Sequence, residues 1–425
     1  MKKTFLQWLN KLGPGLITGA ADDDPSGIAT YSQGGAQHGY GTLWTMLFTY
    51  PLMVGIQIIS ARIGCVTGHG LAANLSKTNS RGVTLILVTL LLVANTINIG
   101  ADLAAMADAI HLVAGGPSHI YAVTLGMTCL LLQVFIPYQH YVGILKWLTL
   151  TLFAYVGTVF ASHVPWNEVL LGTFVPKPEF SQSYLLLIVA IFGTTISPYL
   201  FFWQAGQEVE ELTVQRNGAS LNMEPADARL HLRRINIDTF LGMAFSNLIA
   251  FFIMLTTAVT LHTHGAYDIQ TSAQAAEALR PIGGEFTFLL FAAGILGTGM
   301  LAVPVLAGSA AYAVAETFSW SSSLGLELKS AKGFYAIIAL ATMVGVLLDF
   351  SPIDPVKALL WSAVINGVIS VPLMIAMMRI ATQQKIMGKF VIGRHLTRLG
   401  WLATAVMAVA VLALATVSMA QYLRS

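Results

Sequence analysis

Three consecutive carboxylates followed by a proline, Asp22-Asp23-Asp24-Pro25, interrupt a stretch that is otherwise uncharged from Gly13 to Ala36. A proline inside an apolar helix removes one backbone donor and frees a carbonyl upstream. Ionisable side chains at such depth are costly unless they face a cavity, a partner or an ion. The stretch therefore reads as a membrane helix broken at a functional site. The alternative is a kinked loop at the interface, with the aspartates in water.

Composition decides the setting. Of the 425 residues 56% are hydrophobic and 10% charged, and the mean hydropathy is +0.71. Soluble domains carry about 25% charged residues, so this chain is a polytopic membrane protein. No polar segment exceeds roughly thirty residues, too short for a separate soluble core. A net charge of +2 gives no basis for a nucleic-acid partner. Cys65 and Cys129 fall in apolar segments and read as packing residues rather than a disulfide. Met1-Lys2-Lys3 mimics a signal-peptide start, but Lys11 and the aspartates interrupt the apolar run behind it, so the N-terminus is expected to be retained.

Windows of about 20 apolar residues give eleven spans, near 13–36, 41–65, 84–113, 118–138, 142–163, 183–206, 235–261, 285–315, 333–350, 356–381 and 400–421. Of the 22 lysines and arginines, eighteen fall on the side of the N-terminus; Lys177, Arg280, Lys357 and Arg424 are the four on the other. By the positive-inside rule the N-terminus lies in the cytoplasm and the C-terminus outside, in a bacterial-type cytoplasmic membrane.

A second apolar span is broken in the same manner, at Gly193-Thr194-Thr195-Ile196-Ser197-Pro198-Tyr199. Spans one and six are five crossings apart and run in opposite directions. Interrupted helices at matching positions of two inverted halves point to the central site of a transporter. A packing kink at Pro198 is the plainer alternative.

Three motifs stand out: Asp24-Pro25-Ser26-Gly27; Gly34-Gly35-Ala36-Gln37-His38-Gly39-Tyr40-Gly41; and Ala61-Arg62-Ile63-Gly64-Cys65-Val66-Thr67-Gly68. They resemble the NRAMP family of divalent-metal transporters, whose counterparts are Asp-Pro-Gly-Asn, Ala-Gly-Ala-x-x-Gly-Tyr and Ala-Arg-Leu-Gly-Val-Val-Thr-Gly. The resemblance implies an all-α polytopic protein with a LeuT-type fold and broken helices one and six. It implies a single transmembrane domain, with inverted repeats near 13–163 and 183–381 and an accessory helix near 400–421. The departures are informative. Gly27 replaces the family's asparagine, and Ser197-Pro198-Tyr199 replaces Met-Pro-His. Asn95 and Asn98 stand where paired acids are expected, Gln204 replaces a second histidine, and Phe334–Phe350 lacks the family's arginines. In these respects the chain is similar to the NRAMP-related magnesium transporters.

Thioethers select transition metals, whereas carboxylates, hydroxyls, carbonyls and water suit magnesium and manganese. Neither break contains Met, Cys or His. The candidate metal residues are Ala21, Asp22, Asp23, Asp24, Ser26 and Gly27 at the first break, Thr194, Thr195 and Ser197 at the second, and Asn366 in the tenth span. Asp24, beside the proline, is the first choice as direct ligand. At most two of three adjacent aspartates can address one ion, so Asp22 or Asp23 acts through water, lines a vestibule or caps the following half-helix. Magnesium keeps several waters and needs only one or two carboxylates. The transported Mg²⁺ or Mn²⁺ is a substrate, and no cofactor is expected.

Other polar residues read more plainly. Asp102, one turn beyond Asn98, and Asp108 could draw cations to an entrance but read first as a solvated helix end. Glu208, Glu210 and Glu211 suit a solvated loop or an exit vestibule equally well. With no titratable group at depth besides Asp22–Asp24, uptake is expected without accompanying proton flow. The rival functions are proton-coupled Mn²⁺ or Fe²⁺ transport and an amino-acid permease of the same fold. The permease is disfavoured because three aspartates repel a substrate carboxylate. No nucleophile–base or zinc-ligand spacing supports an enzyme.

Overall fold

The computed structural model describes residues 14–136, 149–215, 225–352 and 354–423. The N-terminal segment, the charges Lys2, Lys3, Lys11, Lys146, Arg216 and Arg424, and residues 142–148 of the fifth span lie outside these. Among the described residues there is no strand.

In chain order the described α-helices of six residues or more are α1 (Pro14–Asp22), α2 (Pro25–His38), α3 (Trp44–Thr67), α4 (Leu71–Thr78), α5 (Arg81–Ala114) and α6 (Ser118–Phe135). Then come α7 (Phe153–Ala161), α8 (Trp166–Phe174), α9 (Gln182–Thr195), α10 (Pro198–Gln215) and α11 (Pro225–Thr260). The last are α12 (Ser272–Glu277), α13 (Thr287–Thr317), α14 (Lys332–Leu348), α15 (Pro355–Ala381) and α16 (Arg394–Tyr422). Eight described stretches are long and apolar enough to cross a membrane. They match the expected spans two, three, four, six, seven, eight, ten and eleven. The first span is divided between α1 and α2, and the fifth and ninth contain the shorter apolar helices Leu150–Ala161 and Lys332–Leu348.

Both breaks fall where the prolines place them. Pro25 opens α2 at a position where a backbone donor would have no helical partner. Asp24 is extended (φ −68°, ψ 169°), and its Oδ1 accepts a hydrogen bond of 2.7 Å from the Gly27 N–H. A side-chain cap of this kind contributes about 1 kcal/mol. In the sixth span, Ile196 and Ser197 separate α9 from Pro198, the first residue of α10.

The breaks are held together by α11 and α15. Helix α11 packs along both α1 and α2, while α15 packs on α9, α5 and α2. The approach of α9 to α15 is backbone to backbone: a Cβ on Gly193 would overlap the Ala363 carbonyl and lie 2.5 Å from the Gly367 nitrogen. Cys65 and Cys129 are buried free thiols, as expected.

This contact gives a prediction about stability. Gly193→Val forces α9 away from α15, an overpacking cost of about 1–3 kcal/mol. Thermal melting followed by size-exclusion chromatography should show a lowered midpoint, whereas Gly82→Ala, at a glycine with nothing within 4 Å of an added Cβ, should leave it unchanged.

Candidate metal-ion site at the helix breaks

The three aspartates do not converge. Asp24 turns toward α5 and α10: its Oδ2 accepts from Asn98 Nδ2 at 3.1 Å and from the Tyr199 hydroxyl at 3.3 Å. Asp22 and Asp23 turn toward α11, where Ser246 Oγ lies 2.6 Å from Asp22 Oδ2 and 3.0 Å from Asp23 Oδ1. The helix ends between them, so the chain changes direction and consecutive carboxylates reach different neighbours. All three are buried. Asp22 Oδ1 and Asp23 Oδ2 have no hydrogen-bond partner. The residue that caps α2 is Asp24 itself, not one of its neighbours.

A chain of hydroxyls supports Asp24. Ser26 Oγ donates to the Leu359 carbonyl at 2.9 Å and lies 3.2 Å from Ser362 Oγ. Ser362 Oγ lies 2.6 Å from Asn98 Oδ1, which fixes the Asn98 amide with its N–H toward Asp24. Gly27 brings the two breaks together, since a Cβ there would lie 3.2 Å from Thr194 Oγ1 and 3.4 Å from the Asp22 carbonyl.

The carbonyls freed at the breaks are met by side chains. Ala21 O lies 3.1 Å from the Tyr199 hydroxyl, whose single hydrogen it shares with Asp24 Oδ2. Ser197 Oγ lies 2.6 Å from Thr194 O and 3.0 Å from Gly193 O, so its hydrogen is used within its own turn. Thr195 Oγ1 donates to Ile191 O at 2.6 Å and lies 3.2 Å from the Tyr31 hydroxyl. Asn366 is buried on α15, and its Oδ1 has no partner.

Two readings of acidic residues are corrected. Asp102 is not a solvated helix end: it is fully buried, and neither carboxylate oxygen has a hydrogen-bond partner. Hydropathy marks its height along α5 but not the neighbouring helices that cover it. Nor do the glutamates of α10 form a solvated loop. The helix continues to Gln215 because α11 supplies a cation: Arg234 Nη2 lies 2.7 Å from the buried Glu208 and also pairs with Glu211. Glu210 accepts from the Tyr312 hydroxyl and from Leu324 N. Sequence reasoning also missed Ser246, a lone serine in an apolar span whose partners emerge only from packing.

The opposite end is closed differently. Gln33 Nε2 donates to Asp268 Oδ1 at 2.7 Å, and the Ile269 N–H donates to Gln33 Oε1 at 3.0 Å. This clasp draws the segment leading to α12 over α2, leaving beside Pro25 a cavity of 20 Å³ lined by Ile28, Ala29, Ile269 and Leu359, among others. A far larger cavity of 1480 Å³ opens beyond it, around His38, His163, Glu168 and His262. Among the described residues, no three His, Cys, Asp or Glu side chains converge to hold a metal ion. The donors at the breaks are instead mixed oxygens: one carboxylate on one wall, two on the other, with hydroxyls and an amide.

The family model described as natural resistance-associated macrophage protein-like matches residues 15–417. The chain belongs to this Nramp family. Two bacterial relatives in the family are named divalent metal cation transporter MntH. The Verminephrobacter eiseniae protein is 30% identical over 297 residues, 67% of this chain and 64% of its own length. The Caldanaerobacter subterraneus protein is 26% identical over 403 residues, 91% of this chain and 87% of its own. Among solved structures, a manganese transporter from Eremococcus coleocola superposes with a TM-score of 0.74 at 17% identity, covering 96% of this chain and 86% of that one. The nucleobase-cation symporter Mhp1 superposes with a TM-score of 0.58 at 13% identity, covering 96% and 93%. The fold expected from the resemblance is thus shared across this Nramp chain.

The ion pair on α10 and α11 gives a further prediction. Arg234→Ala leaves Glu208 buried without its cation, which costs about 3–5 kcal/mol. The melting midpoint should fall sharply, and adding Glu208→Gln should recover part of the loss.

Proposed function

We propose that this chain carries divalent cations across a bacterial-type cytoplasmic membrane, with hydrated Mg²⁺ as the leading substrate and Mn²⁺ as a second. The supporting observation is the Asp24 carboxylate. It is buried between two helix breaks, and the bonds that reach it come from neutral donors: a backbone N–H, an amide and a phenol. Such donors orient a charge but do not neutralise it, and a cation does. Family membership and the names of the relatives support a divalent cation as that substrate. The oxygen-only donor set and the absence of sulfur at both breaks support a hard ion over a soft one. One or two carboxylates suffice for an ion that keeps its waters.

On this reading the N-terminus is cytoplasmic, and α1 with the Glu208–Arg234 pair lies at the inner end. The chain transports and does not catalyse a reaction. The membrane potential is an adequate driving force: a divalent ion crossing 100 mV gains about 4.6 kcal/mol, twice the single-charge value. We therefore propose uptake without obligatory proton flow. A second reading, proton-coupled transport, is favoured by one observation, the buried Asp102 carboxylate with both oxygens unpartnered one turn from Asn98.

The test is uptake by proteoliposomes offered Mg²⁺, Mn²⁺, Fe²⁺ and Cd²⁺ in turn. Mg²⁺ and Mn²⁺ should enter and the softer ions should be poor substrates; Asp24→Ala should fold and lose uptake. Uptake at the parent rate by a folded Asp24→Ala protein would remove Asp24 from the site. A pH-sensitive dye trapped in the same liposomes should stay silent during Mg²⁺ uptake. Acidification that tracks the metal and disappears in Asp102→Asn would establish the proton-coupled reading instead.

A further inference from the structure

Helix α11 presents Asp238, Gly242 and Ser246 at four-residue intervals, which places them in one stripe along about 12 Å of the helix. Helix α1 meets this stripe at three points. The Gly15 N–H donates to Asp238 Oδ2 at 2.8 Å. A Cβ on Gly19 would overlap the backbone of Gly242, so the helices touch there without side chains. At the top, Ser246 faces Asp22 and Asp23. The seam is firm at the bottom and middle, but its upper fastening is underprovided.

A serine hydroxyl has one hydrogen and donates to one oxygen at a time. With carboxyl oxygens 2.6 Å and 3.0 Å from Ser246 Oγ, the one hydroxyl hydrogen cannot serve both at once. The outer oxygens of the two aspartates, Asp22 Oδ1 and Asp23 Oδ2, are buried with no partner. One hydrogen thus serves two carboxylates at the point where α1 ends.

We propose that Ser246 is a positioning residue that fastens α1 to α11, and that a divalent cation drawn to Asp22 and Asp23 unfastens it. The cation satisfies lone pairs that a single hydroxyl cannot, so Ser246 loses its hold and the upper end of α1 leaves the seam. Asp24 is not part of this fastening, because its carboxylate is held by α5 and α10. The proposal rests on the cation-transport reading and assigns the coupling to a residue on α11.

The experiment uses the full chain in liposomes, with Cys65 and Cys129 replaced by alanine and Thr18→Cys as a reporter on the seam. Thr18 is fully buried. A membrane-impermeant maleimide is added to both faces, with and without Mg²⁺ or Mn²⁺. In the parent, either ion should raise the labelling rate about fivefold, the shift expected from losing one hydrogen bond. In Ser246→Ala the rate should already be high without ion and should not rise further. Ser246→Thr, which keeps the hydroxyl, should behave as the parent. Asp22→Asn, whose amide can satisfy Ser246 oxygen, should label slowly and ignore the ion, which provides an independent arm should Ser246→Ala not fold. Parent-like, ion-dependent labelling in Ser246→Ala or Asp22→Asn, or labelling that falls when ion is added to the parent, would overturn the proposal. Uptake and calorimetry on the parent separate the two readings. If the parent binds and carries the ions while either variant labels as the parent does, only the role of Ser246 fails. If the parent neither binds nor carries them, the transport reading fails and takes the proposal with it.

Discussion

Charge buried in a membrane-spanning helix is the constraint on which the rest of this structure depends. Three adjacent carboxylates on a continuous helix would point about 100° apart and require partners on three sides. Ending the helix after Asp22 and restarting it at Pro25 divides them between two walls instead. One wall, built from α5 and α10, supplies an amide and a phenol to Asp24. The other, built from α11, supplies one hydroxyl to the remaining two. The backbone cost of the break is offset locally, by Asp24 capping α2 and Tyr199 reaching Ala21 O.

Much of this was legible in the residues. Pro25 and Pro198 mark the breaks because each removes a ladder donor beside polar residues, and the structure ends and restarts helices at both, whereas Pro51, Pro304 and Pro372 lie inside helices that continue through them. Eight of the expected spans coincide with described stretches long and apolar enough to cross a membrane. What escaped was lateral position. Hydropathy reports how apolar a stretch is, not which helix lies beside it, so Asp102 read as solvated although its surroundings bury it completely. The same blindness affected Glu208, whose partner Arg234 is 26 residues away and belongs to the next helix. Ser246 carried no signal of its own, because serine is common in membrane helices and its role depends on what faces it.

The two ends of the molecule are closed by different chemistry. At the Glu208 end, Arg234 joins α10 to α11 by a charge-assisted pair that is largely withdrawn from solvent. Breaking it leaves an uncompensated buried charge, so the two helices act as one body. At the other end a neutral glutamine, Gln33, exchanges two hydrogen bonds with the segment before α12. The bond from Ile269 N–H contributes about 1 kcal/mol and the one to the Asp268 carboxylate about 1.5–3 kcal/mol, less than the roughly 3–5 kcal/mol for leaving Glu208 without its cation. Opening the amide clasp is therefore the smaller rearrangement, and Asp268 is already exposed to water.

Volume sets the final requirement. The cavity beside Pro25 holds 20 Å³, enough for one water molecule. An ion that keeps several of its waters needs several times that room. The packed arrangement around Pro25 therefore cannot pass a hydrated ion, and the walls must part or the ion must shed most of its shell. Shedding is opposed by the chemistry present: among the described residues no three acidic or soft side chains converge to replace the lost waters, and Ser197 has spent its hydrogen on its own turn. Parting is favoured by the construction, because both breaks end helices beside contacts made by glycine backbones or single hydroxyls, which separate without extracting large side chains. For the transport of a hydrated ion proposed above, the sealed geometry is then one position of a moving site, whose movable parts are the half-helices on either side of Pro25 and Pro198.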